Sequence, residues 1–181
     1  MNTELFSPER IQEMRQTFDD AFARPHSELH DQSEDILAIR IAGDPYAIKI
    51  REIIGLVNRK KVIPFPSPVP ELLGFAGIRG DIVPVYSLAA LLGYSPEADP
   101  SGWLILCKAE AALLALTFHH FEGHFRLSLP KIQTADVERS GRKYVSNIAH
   151  VQGEAHTLIN LPSLVDFVQE LSAGDHTPQE G

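Results

Sequence analysis

Residues 74–93 read GFAGIRGDIVPVYSLAALLG, and this stretch decides the predicted fold class. Two apolar runs, Phe75–Ile78 and Ile82–Tyr86, flank the turn sequence Arg79-Gly80-Asp81, which is the pattern of a β-hairpin. Residues 88–92 then have the composition of a short helix, and a glycine ends it. The stretch therefore predicts strand, turn, strand and short helix, in that order.

The same succession occurs again near the end of the chain. Two strand-like segments, residues 144–151 and 155–159, flank a turn at Gly153-Glu154. In both copies the helix begins eight residues after the turn glycine, at Leu88 and at Leu161. The repetition predicts an internally duplicated, mainly β body.

Each copy is preceded by another hairpin and a polar strand. The two hairpins cover residues 36–50, with a turn at Gly43-Asp44, and residues 103–118, with a turn at Ala109-Glu110. The polar strands that follow them are predicted at residues 57–62 and 122–127. The first of these contains adjacent basic residues that discourage pairing between molecules, so it is predicted to lie at a sheet edge.

The strand count per half predicts the architecture of the body. Ile63–Pro70, with four prolines, and Ser128–Arg142 are predicted to be irregular. About five short strands remain in each half, which predicts two small five-stranded barrels over roughly 36–93 and 103–160, followed by a closing helix that extends to residue 171. Because each barrel is too small to be very stable alone, we expect a shared apolar seam between them.

Composition excludes several classes of protein. The 181 residues are 44% apolar and 22% charged, as in a soluble globular protein of one domain or two very small ones. The net charge of −8 argues against nucleic acid as a partner. No apolar run is long enough to span a membrane and the N-terminus lacks the pattern of a signal peptide, so we expect a cytoplasmic protein without direct membrane insertion.

The acidic charge is concentrated in an N-terminal arm, residues 1–35, which carries nine acidic and three basic side chains. Ser7-Pro8 starts a predicted amphipathic helix that Pro25 ends, and a polar linker follows up to Asp35. The helix packs either on its own body or in a partner's groove. Its apolar stripe consists of Ile11, Met14, Phe18 and Phe22. Residues 172–181 are predicted to be a flexible tail.

Histidines offer the best candidates for a metal site, but their spacing is unfavourable. On a strand, His120 and His124 would share a face and His119 would oppose them, so these three residues cannot close a site alone. His26 and His30 are four residues apart in a linker that is not reliably helical. We therefore predict no metal site, although a metal-binding or small-ligand-binding β-barrel regulator remains the alternative function.

The sequence lacks the motifs of two common kinds of active site. There is no glycine-rich phosphate loop and no serine nucleophile elbow. Cys107, the single cysteine, lies in an apolar run and is predicted to be a small buried residue rather than a reactive thiol. An enzyme is therefore the weaker hypothesis, and a binding or adaptor role is favoured.

The body, residues 36–171, resembles the CheW-like family of bacterial chemotaxis coupling proteins. The family pattern is a Gly–apolar–apolar–Asn–apolar–Arg–Gly turn, then a strand with a central proline, then Asp-Leu. The matching positions here are Gly74, Arg79, Gly80, Pro84 and Leu88. The resemblance is strong up to residue 93 and weaker in the second half.

The resemblance implies a fold of two five-stranded SH3-like barrels, here with an N-terminal helix and a short C-terminal helix, and it implies neither catalysis nor a cofactor. Its implied partners are a CheA-type histidine kinase, which contacts barrel ends, and the helical tip of a methyl-accepting chemoreceptor, which lies in a groove between barrels. Ile50 and Glu52 would lie at that groove and Arg79 at the turn near it. Gly74 and Gly80 would be structural turn residues.

The three proposed partner-binding residues have other possible roles, and the sequence differs from the family pattern at several positions. Ile50 could be a core residue, Glu52 a solvated charge, and Arg79 a side chain bonded to the turn backbone. Where the family has Asn, Asp, Val-Asp and Asp-Leu, this chain has Gly77, Ser87, Phe118-His119 and Asn160-Leu161. We therefore expect a divergent member, for example one that acts in surface motility or development.

Overall fold

A mainly β body accounts for the described part of the chain. The structure is a computed structural model that describes residues 33–58, 60–95, 102–110, 112–128, 132–134 and 144–173. The predicted N-terminal helix, with His26 and His30 after it, and the tail from residue 174 lie outside the described residues. Within those that are described, no helix is both long enough and apolar enough to cross a membrane.

The described residues form twelve strands and two α-helices. A short 3-10 helix, Ile50–Glu52, joins the second and third strands. In chain order the elements are β1 (Ser33–Ile41), β2 (Asp44–Lys49), β3 (Gly55–Asn58), β4 (Ile63–Pro64), β5 (Leu72–Ile78), β6 (Asp81–Ser87), α1 (Leu88–Leu91), β7 (Trp103–Ala109), β8 (Ala112–Phe118), β9 (His120–Ser128), β10 (Ile132–Thr134), β11 (Val145–Val151), β12 (Glu154–Ile159) and α2 (Leu161–Ala173).

The strands form two six-stranded sheets with the same internal order. The first sheet runs β10-β11-β12-β2-β1-β9, and the second runs β4-β5-β6-β8-β7-β3. Equivalent strands are six places apart in chain order, so β1 corresponds to β7 and β6 to β12. Each sheet has a parallel junction at the equivalent place, β12 with β2 in one and β6 with β8 in the other. This agreement supports the internal duplication.

The two halves exchange their first hairpins. Strands β1 and β2 lie in a sheet with β9–β12, and β7 and β8 lie in a sheet with β3–β6. The prediction of two five-stranded barrels built from contiguous halves was therefore wrong in strand number and in strand allocation. Local periodicity shows which face of a strand is apolar, but it does not specify which of two similar sheets that strand joins.

Three apolar clusters hold the sheets together. One fills the concave side of the first sheet and includes Ile36 and Leu158. A second fills the concave side of the second sheet and includes Leu104 and Val83. The largest, which we call the seam cluster, joins the exchanged hairpins to α1 and α2. Alternate residues of β7 serve different clusters, because Leu104 points into the second sheet and its neighbour Ile105 into the seam.

All three hairpin turns with described backbone angles consist of a non-glycine residue followed by glycine. Ala42-Gly43, Arg79-Gly80 and Gln152-Gly153 have φ values of 51° and 90°, 54° and 94°, and 50° and 90°. Positive φ at both central positions is the type I′ turn, whose twist suits adjacent antiparallel strands. The turns predicted at Gly43-Asp44 and Gly153-Glu154 therefore lie one residue earlier.

Strand boundaries differ from the predictions at four places. The polar strand predicted over 57–62 is β3, which ends at Asn58. Ile63 and Pro64 pair with Phe75 and Gly74 although this stretch was predicted to be irregular. An edge position tolerates proline because the outer side of an edge strand needs no partner. Strand β10 lies within a predicted loop, and β1 begins inside the predicted linker.

Capping interactions start both α-helices at positions that depart from the family pattern. The Ala90 backbone N–H donates to Ser87 Oγ at 3.2 Å, ahead of α1. The Ser163 backbone N–H donates to Asn160 Oδ1 at 3.2 Å, ahead of α2. Ser and Asn cap helix N-termini about as well as Asp. The two replacements therefore preserve the local geometry.

We expect Ser87→Ala to lower the free energy of unfolding by about 1 kcal/mol, because the partly buried Ala90 N–H loses its acceptor. Urea denaturation of the full chain measures this change. Ser95→Ala, at an exposed residue, is the matched control and should leave the midpoint unchanged. Equal midpoints for both variants would show that the cap contributes nothing.

Candidate partner-binding surface

An open groove of about 640 Å³ lies at one end of the second sheet, and we call it the end groove. Two large apolar side chains in it are unusually exposed, Ile82 at 80% and Ile54 at 45%. Exposed aliphatic residues of this size are informative when they cluster in a concave surface. The lining consists of Ile54, Asp81, Ile82, Val83, Pro84, Lys108, Glu110, Ala112 and Leu113.

The exposure of Ile82 follows from strand alternation. Val83 and Val85 point into the concave side of the second sheet and are buried, so Ile82 points the other way. Its cross-strand partner in β5 is Gly77, which has no side chain to cover it. Sequence analysis missed Ile82, although its position out of phase with the two buried valines was a detectable signal.

A second depression, of about 190 Å³, shares Lys108 and Glu110 with the end groove. We call it the helix-side depression because the start of α2 forms one of its walls. Its other charged linings are Glu52 and Asp166. The complete lining is Glu52, Cys107, Lys108, Glu110, Leu161, Pro162, Val165, Asp166 and Gln169.

Among the predicted site residues, Glu52 lines the helix-side depression. Its side chain is 15% exposed, and Oε1 lies 3.6 Å from Lys49 Nζ. Oε2 is buried and has no hydrogen-bond partner within the described part of the chain. Glu52 is therefore not a solvated charge, and a donor from a docked partner would satisfy an oxygen that is otherwise costly to bury.

Ile50 and Arg79 lie in different surroundings from Glu52. Ile50 begins the 3-10 helix and packs, half-buried, against the seam cluster. Arg79 is exposed in the turn that precedes Asp81 and Ile82 of the end groove. No hydrogen bond or ion pair to another described residue restrains its guanidinium, so the group can meet a partner.

The predicted structural glycines have different roles. Gly80 is in the β5–β6 turn with φ of 94°. Gly74 lies inside β5 rather than in a turn, at a register shift with φ of 144°. A Cβ there would lie 2.0 Å from the Ile63 carbonyl oxygen. Glycine at this position therefore permits β4 to pair with β5.

Charge along the two cavities is predominantly acidic. The end groove contributes Asp81 and Glu110, and the helix-side depression adds Glu52 and Asp166. Lys108 is the basic residue in both linings. An apolar floor with an acidic rim suits a partner that carries an apolar stripe and basic or hydrogen-bond-donating groups.

The histidines considered for the alternative metal-binding function do not form the group of possible metal ligands that the structure shows. His124 Nε2 lies 3.0 Å from Asp35 Oδ1, and its strand neighbour His120 is exposed. Over the described ranges, the group of side chains close enough to share a metal ion is a different one, Glu122, Glu154 and His156.

Cys107 is buried in the seam cluster, with 1% exposure. Burial raises the pKa of the Cys107 thiol to about 12, and the nearby Glu52 carboxylate adds to the effect. The thiolate is the reactive form of cysteine, and it is scarce below such a pKa. The expectation of a small buried residue is confirmed.

We expect the native protein at pH 8 to react with a disulfide reagent at least about a hundredfold more slowly than the unfolded chain. The absorbance of the released thiol measures the rate with and without guanidinium chloride. Because Cys107 is the single cysteine, the rate measured under each condition is the rate of Cys107. A native rate equal to the unfolded rate would mean that the seam is open to solvent.

Comparison with known proteins specifies the family to which this fold of two curled sheets belongs. The family model described as CheW-like domain matches residues 35–169. The chain belongs to this family, whose members are scaffold and coupling proteins of chemotaxis signal transduction. No curated protein matches the chain significantly.

Among solved structures, the chain is similar to the scaffolding protein TtCheW from Thermoanaerobacter tengcongensis. The TM-score is 0.62 with 16% sequence identity, over 70% of this chain and 88% of that one. At this identity the match establishes the fold alone. It agrees with the family assignment that the sequence motif around Arg79 and Gly80 predicted.

Proposed function

We propose that the protein is a non-catalytic cytoplasmic adaptor that couples a methyl-accepting chemoreceptor to a CheA-type histidine kinase. The observation that supports this most is the pair of adjoining cavities, with exposed Ile82 in one and Glu52, whose buried Oε2 lacks a hydrogen-bond partner, in the other. Both features are unfavourable in the isolated chain and are relieved when a partner covers them.

The end groove is suited to the kinase. It lies at the end of a sheet, where the family resemblance places kinase contacts, and its floor is aliphatic. Covering a side chain such as Ile82 contributes about 1.5–3 kcal/mol of transfer free energy. One such residue among smaller contacts is enough for a reversible interface.

The helix-side depression is suited to the helical tip of the receptor. An amphipathic helix places its apolar residues against a floor such as Leu161 and Val165, and its donors reach the Glu52 carboxylate. Arg79 lies in the turn beside the end groove, and the family resemblance assigns it to the receptor as well. Its planar five-donor fork suits carboxylates on a receptor helix. The adaptor then works by holding two partners, with no reaction at either surface.

We expect Arg79→Glu to weaken binding of a soluble receptor hairpin by about tenfold, since it replaces a donor by a repelling charge. Isothermal titration with the full chain measures the affinity. Lys60→Glu makes the same charge change at an exposed residue outside both linings, and it should have little effect.

Ile50→Asp should also weaken receptor binding. Because Ile50 packs on the seam cluster, the thermal stability of this variant must be measured in parallel. Unchanged receptor affinity in both Arg79→Glu and a folded Ile50→Asp variant would remove the proposed receptor surface.

A further inference from the structure

Four charged or titratable side chains meet at the end of the first sheet's concave side. Arg40 comes from β1, Glu122 from β9, and Glu154 and His156 from β12. In the sheet order β9 and β12 are separated by β1 and β2, so contact between Glu122 and His156 requires the sheet to curl. The cluster therefore closes the curl at one end.

Both ring nitrogens of His156 face oxygen acceptors. The side chain is 3% exposed, Nδ1 lies 3.3 Å from the Glu154 carbonyl oxygen, and Nε2 lies 2.8 Å from Glu122 Oε2. When Nδ1–H donates to the carbonyl, a neutral ring directs its Nε2 lone pair at a carboxylate. In that tautomer, a cation bound to both Nε2 and the carboxylate removes the repulsion between them. A backbone carbonyl that accepts from Nδ1–H is one of the common partners of a metal-bound imidazole.

The carboxylate of Glu154 completes a set of ligands. One donor atom from each of Glu122, Glu154 and His156 lies within 4.8 Å of the others. A cavity of about 190 Å³ opens beside them and provides a route of entry from solvent. One imidazole nitrogen and two carboxylate oxygens suit Zn²⁺, which leaves one position of a tetrahedron for water.

We propose that Glu122, Glu154 and His156 form a zinc site for which Arg40 is the competing cation. Arg40 Nε lies 2.5 Å from Glu122 and Nη2 lies 2.6 Å from Glu154, so the guanidinium occupies the carboxylates when zinc is absent. Its side chain is 30% exposed and Nη1 also donates to the Gly43 carbonyl, so the guanidinium has another acceptor and access to solvent when it leaves the carboxylates. Zinc must displace it, which lowers the affinity of the site.

Titration of the full chain with zinc chloride by calorimetry tests the site. We expect one zinc ion per chain, at least about tenfold weaker binding in His156→Gln and in Glu122→Gln, and about tenfold tighter binding in Arg40→Gln. His120→Gln and His124→Gln are matched controls, because they remove imidazoles from β9 without touching the three ligands.

Two results would overturn the proposal. One is an absence of zinc binding in both the natural protein and Arg40→Gln. The other is zinc binding with unchanged affinity in His156→Gln, or loss of binding in the double variant His120→Gln/His124→Gln. Arg40→Gln is expected to bind zinc more tightly. The proposal can therefore still be tested if His156→Gln or Glu122→Gln fails to fold. Receptor and kinase binding are measured separately, so the outcome does not depend on the proposed function.

Discussion

Gly74→Ala should lower the free energy of unfolding by at least about 3 kcal/mol, which is in the severe range for a single substitution. The added Cβ would lie 2.0 Å from the Ile63 carbonyl oxygen and 2.9 Å from Pro64 Cα. Both contacts are with backbone, which cannot rotate away, and φ at Gly74 is 144°. Strand β4 would have to separate from β5.

Chemical denaturation monitored by the fluorescence of the single tryptophan, Trp103, measures the loss. Gly77→Ala is the matched control, because it makes the same change in the same strand. Its Cβ would have no neighbour within 4 Å, so the variant should lie within about 0.5 kcal/mol of the natural protein. Equal losses in the two variants would contradict the observed pairing of β4 with β5.

Ile82→Asp should weaken kinase binding by at least about tenfold and leave stability nearly unchanged. At 80% exposure, Ile82 contributes little to the fold, but it is the most exposed aliphatic residue of the end groove. A carboxylate there would be desolvated by the partner and would add to a rim that already contains Asp81 and Glu110. The separation of binding from stability identifies an interface residue.

Calorimetry or surface binding with the regulatory domain of the kinase measures this effect. Ile63→Asp is the matched control, since Ile63 is 63% exposed in the same sheet but does not line the end groove. If both variants bind normally, the end groove is not the kinase surface. If both lose binding equally, the interface extends over β4 and the specific role of Ile82 is wrong.

Local features of the fold were predictable from sequence because they depend on a few neighbouring residues. Each glycine turn was located to within one residue, since few sequences adopt positive φ in a two-residue hairpin. The succession of β5, β6 and α1 followed from residues 74–93, and the similar succession of β11, β12 and α2 indicated duplication. The expected seam is the largest apolar cluster.

Long-range features were not predictable by the same reasoning. Strands β2 and β8 are apolar on both faces, so their pattern is compatible with either sheet, and the exchange of hairpins is not encoded locally. Two-residue β4 has too few residues to show any periodicity. Prolines there indicated a loop, although an edge strand accepts them.

The candidate site was only partly predictable. Glu52 followed from the family motif, and its burial could not be read from a charged residue in a short polar connection. Ile82 is exposed because Gly77 faces it across two strands, a relation that requires the register of the hairpin. In the cluster of Arg40, Glu122 and His156, the first two residues are 82 positions apart in the sequence and the last two are 34 apart. Sequence spacing therefore did not indicate that these residues meet.

The central claim is that the chain links a receptor to a kinase without catalysing a reaction. Its most direct test is sedimentation of a receptor cytoplasmic hairpin and a CheA-type kinase, mixed with and without the full chain. The account predicts a ternary complex that requires the chain, and that retains the receptor but loses the kinase when the chain carries Ile82→Asp. A chain that binds neither protein, or a receptor–kinase complex that forms equally well without it, would contradict the account.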